Sequence, residues 1–404
     1  MDLSSLMGGG TPKQEQKPAM EYTAQAASLI VNGEVKLTIG ENSFTAVALF
    51  DTVEITYAEI NALSLADYVV TIKTDSGDYN FSRMGQWAQP FYDALCDAYN
   101  KAVLRSLFIK GKPVVTAKGD YRYSEKNMSG GGFAPVCVYE NNVVALPPDL
   151  SARRVPLCFV SRMDKGDYEL TLGLSTGETY TFAKLGYDTA PFAGAVEKQI
   201  RALREKSLAA IKEIDPTLTA AQASQLAKIM PQGAAAPLGQ LAGIAPSFAA
   251  ALEEKLSRTR AAEYYAAFKD LCDPAQIYIG FRKNELPAPD PYLLWLIVPS
   301  PDGQYAAVEF AEADSATFVY KTHGSFDGFA QQLNRALEAI NFKREVIRMT
   351  DEELRKPENA DYYMAAKRTA SLQFVRRNFT ARLIHSGSET WKRKLTETWS
   401  GTIC

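Results

Sequence analysis

Short apolar runs separated by turn residues fill much of the chain from Ser28 onward. The runs that read as strands are "SLIV", "VKLTI", "FTAVALF", "VEITY" and "YVVTIKT", and turns such as Asn32-Gly33, Gly40-Glu41-Asn42 and Asp75-Ser76-Gly77 separate them. Runs of this length with Gly and Asn between them are typical of antiparallel hairpins. The pattern therefore predicts a curled sheet of several strands.

After Pro90 the apolar positions take the period of a helix. The residues on one helical face are Phe91, Leu95, Tyr99, Ala102 and Val103. Proline suits the first turn of a helix because its missing N–H has no partner there in any case. An amphipathic helix is therefore expected to follow the sheet and to extend to about Leu107.

The same order of elements returns about 100 residues later. The segment "DYVVTIKTDSGDYNFSRMGQWAQPF" begins at Asp67, and "DYELTLGLSTGETYTFAKLGYDTAPF" begins at Asp167. Identical residues match at an offset of 100 as far as Gly77 and Gly177, and at 101 after one residue inserted in the hairpin turn. Such a register predicts two copies of one module.

The shared residues have structural explanations. Phe81 and Phe182 are expected to face the core from the last strand, and Phe91 and Phe192 from the first turn of the helix. Gly85 and Gly186, in the connection between them, are expected to need a positive φ or a close backbone approach.

A third, weaker copy is predicted from Gln276 to about Arg348. Its strand-like runs are "IYIGF", "YLLWLIV", "YAAVEF" and "ATFVYK", with a turn at Asp302-Gly303. They precede a helix whose apolar face carries Phe329, Leu333, Ala336 and Leu337.

The remaining segments read as helical or flexible. An alanine-rich span interrupted by Pro231, Pro237 and Pro246 predicts two or three helices, which either pack closely or serve as a spacer. In the last segment, Thr350 caps a helix, and a stripe is expected at Leu372, Val375, Phe379 and Leu383. The predicted organisation is a flexible tail at 1–20, modules at 21–112 and 113–213, an alanine-rich helical linker at 214–273, a third module at 274–348 and a helical basic C-terminal segment at 349–404.

The repeated segments resemble the pleckstrin-homology superfold and its bacterial relatives. The likeness lies in Ile55 to Leu95 and in Val155 to Val196, where strands and a Gly hairpin lead into Pro-Phe and a helix. It implies an α+β chain of tandem pleckstrin-homology-like modules, each a bent sheet of six or seven strands closed by a C-terminal helix. The resemblance is one of fold, and it carries over no ligand motif.

Composition narrows the classes of partner. The 404 residues carry a formal net charge of −3, which argues against broad adhesion to nucleic acid or anionic lipid. The five cysteines are dispersed without metal-ligand spacing, so reduced thiols are expected and neither a disulfide framework nor a metal site is indicated. The sequence shows neither a signal peptide nor a long apolar run, and a cytoplasmic location without a transmembrane segment is expected.

Residues suited to catalysis are few. His323 and His385 are the two histidines of the sequence, the residue type suited to act as a base at neutral pH, and neither belongs to a recognisable motif. The run "SGGGF" at Ser129 lacks the Lys-Ser/Thr of a phosphate-binding loop and reads as a turn. We therefore expect a protein that is not an enzyme and holds no cofactor.

Two binding hypotheses remain. The first is an adaptor or scaffold that binds protein partners through its tandem modules. Trp87 and Tyr187 are candidate contacts because they are large aromatics at unshared positions before the helices, although partial burial is the favoured explanation of both.

The second hypothesis is binding of nucleic acid or anionic lipid through the C-terminal segment. Its candidate contacts are Arg376, Arg377, Trp391, Lys392, Arg393 and Lys394, where basic and aromatic residues are interleaved. The structural alternative is a helix that docks its apolar stripe and exposes its charges.

Overall fold

The computed structural model describes residues 21–283, 291–311 and 315–401. They form a mixed α+β structure with three antiparallel sheets, which confirms the predicted fold class. The chain divides into two compact units, Met1–Ala102 and Val103–Cys404, hereafter unit 1 and unit 2. The six-segment organisation drawn from the sequence stays a prediction.

Unit 1 holds one seven-stranded sheet. Its strands are β1 (Glu21–Ala27), β2 (Asn32–Ile39), β3 (Ser43–Val47), β4 (Thr52–Thr56), β5 (Ile60–Ala66), β6 (Val69–Thr74) and β7 (Gly77–Ser82). The order across the sheet is β4-β3-β2-β1-β7-β6-β5, so β1 and β7 join two meanders. A 3-10 turn at Gly85–Trp87 leads into helix α1 (Ala88–Ser106), whose predicted apolar face is buried.

Aromatic rings fill the core of unit 1. Phe44 contacts Phe81 and Phe91, with ring centroids 5.3 and 5.8 Å apart, and Tyr22 lies edge-on to Phe91 at 5.0 Å. All four rings come from alternate strand positions or from the first turn of α1. The expected core positions of Phe81 and Phe91 are confirmed.

The first sheet of unit 2 has the same strand order as the sheet of unit 1. Its strands are β8 (Val115–Glu125), β9 (Met128–Val138), β10 (Asn142–Ala145), β11 (Arg153–Pro156), β12 (Val160–Lys165), β13 (Glu169–Leu174) and β14 (Thr179–Ala183). They lie in the order β11-β10-β9-β8-β14-β13-β12, and helix α2 (Thr189–Ile214) follows. Phe182 and Phe192 are buried 5.4 Å apart, and Gly85 and Gly186 have φ values of 54° and 60°. The two-copy prediction is thus confirmed in sheet, helix and connection.

The third sheet is a plain meander of β15 (Ala236–Pro237), β16 (Tyr278–Lys283), β17 (Tyr292–Pro299), β18 (Tyr305–Phe310), β19 (Ala316–Lys321) and β20 (Phe379–Ile384). This order differs from that of the two seven-stranded sheets, so the third segment does not repeat their topology. Both faces of the sheet are buried: Trp295 and Ile297 belong to one core cluster, and the alternating Leu296 and Val298 to another. Burial on both faces explains why "YLLWLIV" is continuously apolar.

Helices cover the two faces of the third sheet. The helices that follow α2 are α3 (Ala220–Ile229), α4 (Leu238–Ile244), α5 (Pro246–Ser257), α6 (Ala262–Leu271), α7 (Phe326–Ala339), α8 (Asp351–Leu354), α9 (Ala360–Arg368), α10 (Ala370–Asn378) and α11 (Ser388–Trp399). Residues of α3 to α6 and of α11 share a core with one face, and residues of α7 and α10 with the other. The alanine-rich span is therefore a packed layer rather than a spacer.

The C-terminal segment is not entirely helical. Strand β20 separates α10 from α11 and pairs with β19, for example Leu383 with Thr317. Phe379 and Leu383 therefore lie on a strand, and the helical stripe expected through them is wrong beyond Val375. Residues 379–384 form a strand because their pairing with β19 satisfies the backbone N–H and C=O groups along that strand. This gain outweighs the helical spacing of the apolar residues in the segment.

Candidate interaction surfaces

Three turns lie together at one end of the sheet in unit 1. They follow the pairs Ala27 with Asn32, Val47 with Thr52 and Thr74 with Gly77. Alternate turns of a meander fall at the same end, and the pairing of Ala27 with Asn80 brings the third turn beside the first. We call residues 28–31, 48–51 and 75–76 the turn end of unit 1.

Large apolar side chains project from the turn end. The exposed fractions of Leu29, Leu49 and Phe50 are 90%, 85% and 90%, and that of Ile30 is 55%. The runs "SLIV" and "FTAVALF" were expected to be strands, but their apolar residues Leu29, Ile30, Leu49 and Phe50 lie in turns. A group of exposed apolar residues of this kind is typical of an interaction site.

The polar groups of the first turn fix this exposure. The Ser28 Oγ accepts from the Val31 N–H at 2.9 Å, and the Asn32 amide donates to the Ser28 carbonyl at 2.8 Å. Val31 is fully buried while its two predecessors face outward. The fold therefore holds Leu29 and Ile30 in place without using them in its core.

Carboxylates surround the apolar residues. Glu34, Asp51, Asp75 and Asp78 are exposed on these turns or within three residues of them, and the nearest lysines along the strands are Lys36 and Lys73. The charge of the surface is therefore acidic on balance. Such a surface repels anionic lipid and suits a partner that carries both apolar and basic residues.

The corresponding end of the first sheet in unit 2 is occupied by helix α7. Arg154 of β11 makes a bidentate ion pair with Glu338 of α7, with N–O distances of 2.7 and 2.8 Å. Arg335 of α7 donates to the Arg154 carbonyl at 3.0 Å and lies 3.7 Å from the Glu178 carboxylate. All four side chains are less than 10% exposed. Charged groups of the sheet thus bind a helix within the same chain.

A second set of buried contacts supports this interface. The Arg153 guanidinium donates to the Tyr123 hydroxyl at 2.7 Å and lies 3.4 Å from Glu125, which accepts from the Tyr180 hydroxyl at 2.8 Å. Burial raises the pKa of Glu125, and the neighbouring Arg153 and Arg335 oppose that shift. Burial alone would lower the pKa of Arg335, but the surrounding anionic groups outweigh it and raise the pKa. Arg335 therefore stays charged, and breaking its contacts would leave buried carboxylates without their cation.

The candidate aromatics of the two modules lie in the 3-10 turns before α1 and α2. Trp87 is 57% exposed as the last residue of its turn, and Tyr187 is fully exposed as the middle residue of Gly186–Asp188. The two aromatics occupy different positions of their turns, in agreement with the sequence, in which neither of them is shared between the two copies. Their role as partner contacts stays a prediction.

Several candidate residues of the C-terminal segment have partners within the protein. Arg376 is ion-paired with Asp351 at 2.9 Å and donates to the Val346 carbonyl at 2.6 Å. Trp391 is completely buried, and its ring nitrogen donates to the Thr317 hydroxyl at 3.0 Å. These two side chains are structural.

The other C-terminal candidates are more exposed and lie on different helices. Lys392 is ion-paired with Asp270 at 3.1 Å, Arg393 lies 3.9 Å from Glu397, and Lys394 is exposed on the same helix. Arg377 is exposed on α10. Binding of nucleic acid or lipid by this segment stays a prediction, now resting on fewer side chains.

One polar cluster was not identified from the sequence. His385 lies 3.2 Å from the fully buried Glu309 and stacks on Tyr264, with ring centroids 3.9 Å apart. Glu309 also accepts from Thr317 at 2.7 Å. The cluster links the segment after β20 to the sheet, and its members are too far apart in sequence to form a motif. His323, in contrast, is exposed between β19 and α7.

Two other kinds of site are absent from the described ranges. In residues 21–283, 291–311 and 315–401, no group of three or more His, Cys, Asp or Glu side chains has a geometry that would hold a metal ion. Among the helices of that same part of the chain, none is long and apolar enough to cross a bilayer.

Comparison with known proteins adds little. No protein-family model and no curated protein matches this sequence. A chain in a structure of the Spt16D Pob3N heterodimer is similar at 12% sequence identity and a TM-score of 0.16, with 40% of this chain and 86% of that chain covered. A TM-score this low supports no inference about fold, partner or function.

Proposed function

We propose that the protein is a non-enzymatic adaptor or assembly subunit that binds a protein partner through the turn end of unit 1. The observation that carries the proposal is the exposure of Leu29, Leu49 and Phe50 on neighbouring turns. A Ser28 hydrogen bond closes the first of these turns, and a bond from the Ala48 N–H to the Asp51 carbonyl closes the second. Burying two such side chains in an interface contributes about 2 kcal/mol each, enough to dominate a binding site.

The second module supports the same proposal. At the corresponding end of its sheet, buried ion pairs hold helix α7. This end of the module is therefore able to bind a helix. In unit 1 the residues at that end are apolar and acidic, which favours a partner segment with apolar and basic side chains.

The test is a quantitative affinity purification of the full chain from its native cells. The wild type is compared with the double variant Leu49→Glu/Phe50→Glu. We expect at least one protein to be recovered with the wild type and reduced roughly tenfold or more with the double variant, because charged groups replace the buried contacts.

Tyr68→Glu is the matched control. Tyr68 is 74% exposed in the turn between β5 and β6, at the opposite end of β6 from the turn end. Its variant adds a charge to unit 1 without changing the proposed surface, so it should recover the same partner as the wild type. If every protein recovered with the wild type is also recovered with the double variant, the turn end is not the binding site.

A further inference from the structure

A pocket of about 400 Å³ in unit 2 is lined mainly by helices α2 and α3 and by residues 157–161. The buried apolar residues of its wall are Leu157, Phe159, Val160, Ile200 and Leu203. A cavity of this volume with an apolar interior is typical of a site for a small organic molecule.

Helical spacing brings the wall of the pocket together. The lining residues of α2 begin at Ile200 and recur three, four, seven and eight positions later, and those of α3 begin at Ser224 and recur three and four positions later. Residues at these spacings share one face of a helix. Each helix therefore turns a single face toward the cavity.

Two exposed cations, Arg204 of α2 and Lys228 of α3, line the same pocket. Within residues 21–283, 291–311 and 315–401, neither of these side chains forms an ion pair, whereas the nearby Lys206 is paired with Glu140. Among the described residues that line the pocket, none is acidic. The exposed part of the wall is therefore basic, and it suits an anionic group.

A buried hydroxyl group lies on the same face of α2. Ser207 is 6% exposed, and its Oγ accepts from the Gln232 N–H at 3.1 Å. In the part of the chain that the structure describes, the hydroxyl hydrogen of Ser207 has no acceptor. A ligand oxygen close to Arg204, three positions earlier on the helix, would supply that acceptor.

We propose that the pocket binds a fatty-acid-like ligand, an unbranched alkyl chain that ends in a carboxylate. The alkyl chain lies against Leu157, Ile200 and Leu203, and the carboxylate lies between Arg204 and Lys228. A planar guanidinium matches the two oxygens of a carboxylate, and burial of the chain supplies most of the affinity. The site is separate from the turn end and does not depend on the proposed adaptor function.

The test is isothermal titration of the full chain with octanoate, decanoate and decylammonium, each below its critical micelle concentration. We expect saturable binding of decanoate, about tenfold or more tighter than that of octanoate, because each buried methylene group raises the affinity roughly fourfold. Decylammonium has the same chain but the opposite charge, and it should bind at least tenfold more weakly than decanoate. Equal affinity for decanoate and decylammonium would overturn the proposal.

The double variant Arg204→Gln/Lys228→Gln tests the two cations. Both side chains are exposed, so the variant is expected to fold, which circular dichroism verifies. It should bind decanoate at least tenfold more weakly than the wild type and decylammonium no more weakly, because the charge-assisted contacts with the carboxylate are lost.

Arg393→Gln/Lys394→Gln is the matched control. It replaces the same two residue types at exposed positions of α11, outside the lining of the pocket. It should bind decanoate within about twofold of the wild type, because a remote surface charge has a small effect in salt. An equal loss in the two double variants would mean diffuse electrostatic attraction and would overturn the proposal.

Ala227→Phe tests the cavity itself. Ala227 is half-buried and lines the pocket, so a phenyl ring at this position takes the space of the alkyl chain. We expect at least tenfold weaker binding of decanoate. Ser224→Trp, at an exposed position of the same helix face, repeats the test if the first variant does not fold. If a folded variant binds decanoate as tightly as the wild type, or if the wild type binds neither carboxylate, the pocket does not have this function.

Discussion

The two seven-stranded sheets have the same strand order, but their turn ends differ in chemistry. At the repeat offset of 100, Val53 corresponds to Arg153 and Glu54 to Arg154. In unit 2 these arginines lie in buried contacts that hold α7, while the turns of unit 1 present Leu49 and Phe50 to solvent. The residues that match between the copies form the core of the module. Those that differ hold α7 in unit 2 and form the proposed binding surface in unit 1.

The largest expected effect comes from removing the central arginine of the buried cluster. Arg335→Ala leaves Glu178 and Glu338 with one cation fewer in a buried site, so we expect the free energy of unfolding of unit 2 to fall by about 3–5 kcal/mol. Urea unfolding followed by tryptophan fluorescence measures this, since Trp295, Trp391 and Trp399 belong to unit 2.

Arg377→Ala provides the comparison for that measurement. Arg377 is exposed, and its contact with Gln373 is long at 3.5 Å, so its removal should change the free energy of unfolding by less than about 0.5 kcal/mol. Similar losses in the two variants would show that the buried ion pairs do not hold α7 to the sheet.

A smaller loss of stability is expected when Arg153 of the second module is replaced by valine, the residue at the corresponding position of the first module. Arg153→Val removes the bond to Tyr123 and a cation beside Glu125, and we expect a loss of about 2–3 kcal/mol near neutral pH. Denaturant unfolding across a pH series is the measurement.

The pH dependence of this variant follows from Glu125. Burial already raises its pKa in the folded protein, and loss of Arg153 raises it further. When the pKa of a carboxyl group is higher in the folded protein than in the unfolded chain, protonation favours the folded state. The free energy of unfolding therefore rises as the pH falls through the folded-state pKa toward the pKa in the unfolded chain. The deficit of Arg153→Val should therefore shrink as the pH falls from neutral toward the ordinary pKa of a glutamate, and a deficit that grows on acidification would contradict the assigned role of Glu125.

The smallest effect on stability is expected at the turn end of unit 1. Leu49→Glu/Phe50→Glu should change the free energy of unfolding by less than about 0.5 kcal/mol, because both side chains are already in water. Leu37→Ala, which empties a fully buried site on β2, should cost about 2–5 kcal/mol. Thermal unfolding by circular dichroism compares the two, and a destabilised double variant would indicate that the turns have a structural function.

Local patterns in the sequence were sufficient to predict the modules. Alternating apolar residues, hairpin turns and the stripe on α1 are short-range features, and repetition strengthened each of them. The stripe of Phe329, Leu333, Ala336 and Leu337 on α7 is likewise buried as expected. The topology of the third sheet was not predictable in this way, because a strand buried on both faces shows no alternation of apolar and polar residues.

The functional surfaces depend on partners that are distant in sequence. Trp391 and Arg376 looked like exposed contacts because Thr317 and Asp351, which satisfy their polar groups, lie elsewhere in the chain. The exposed residues of the turn end were detectable in the sequence. Leu49 and Phe50 lie directly before Asp51, at positions where a hairpin turn normally has polar residues.

The late position of β20 in the chain has a consequence for synthesis on the ribosome. Strand β19 ends at Lys321, but the strand that completes its hydrogen bonds begins only at Phe379. While the intervening helices are being made, one edge of the growing sheet stays open to other nascent chains. Premature termination between these two strands would release a product with an unpaired, aggregation-prone strand edge. Chaperones would have to shield that edge, or proteases would have to remove the product.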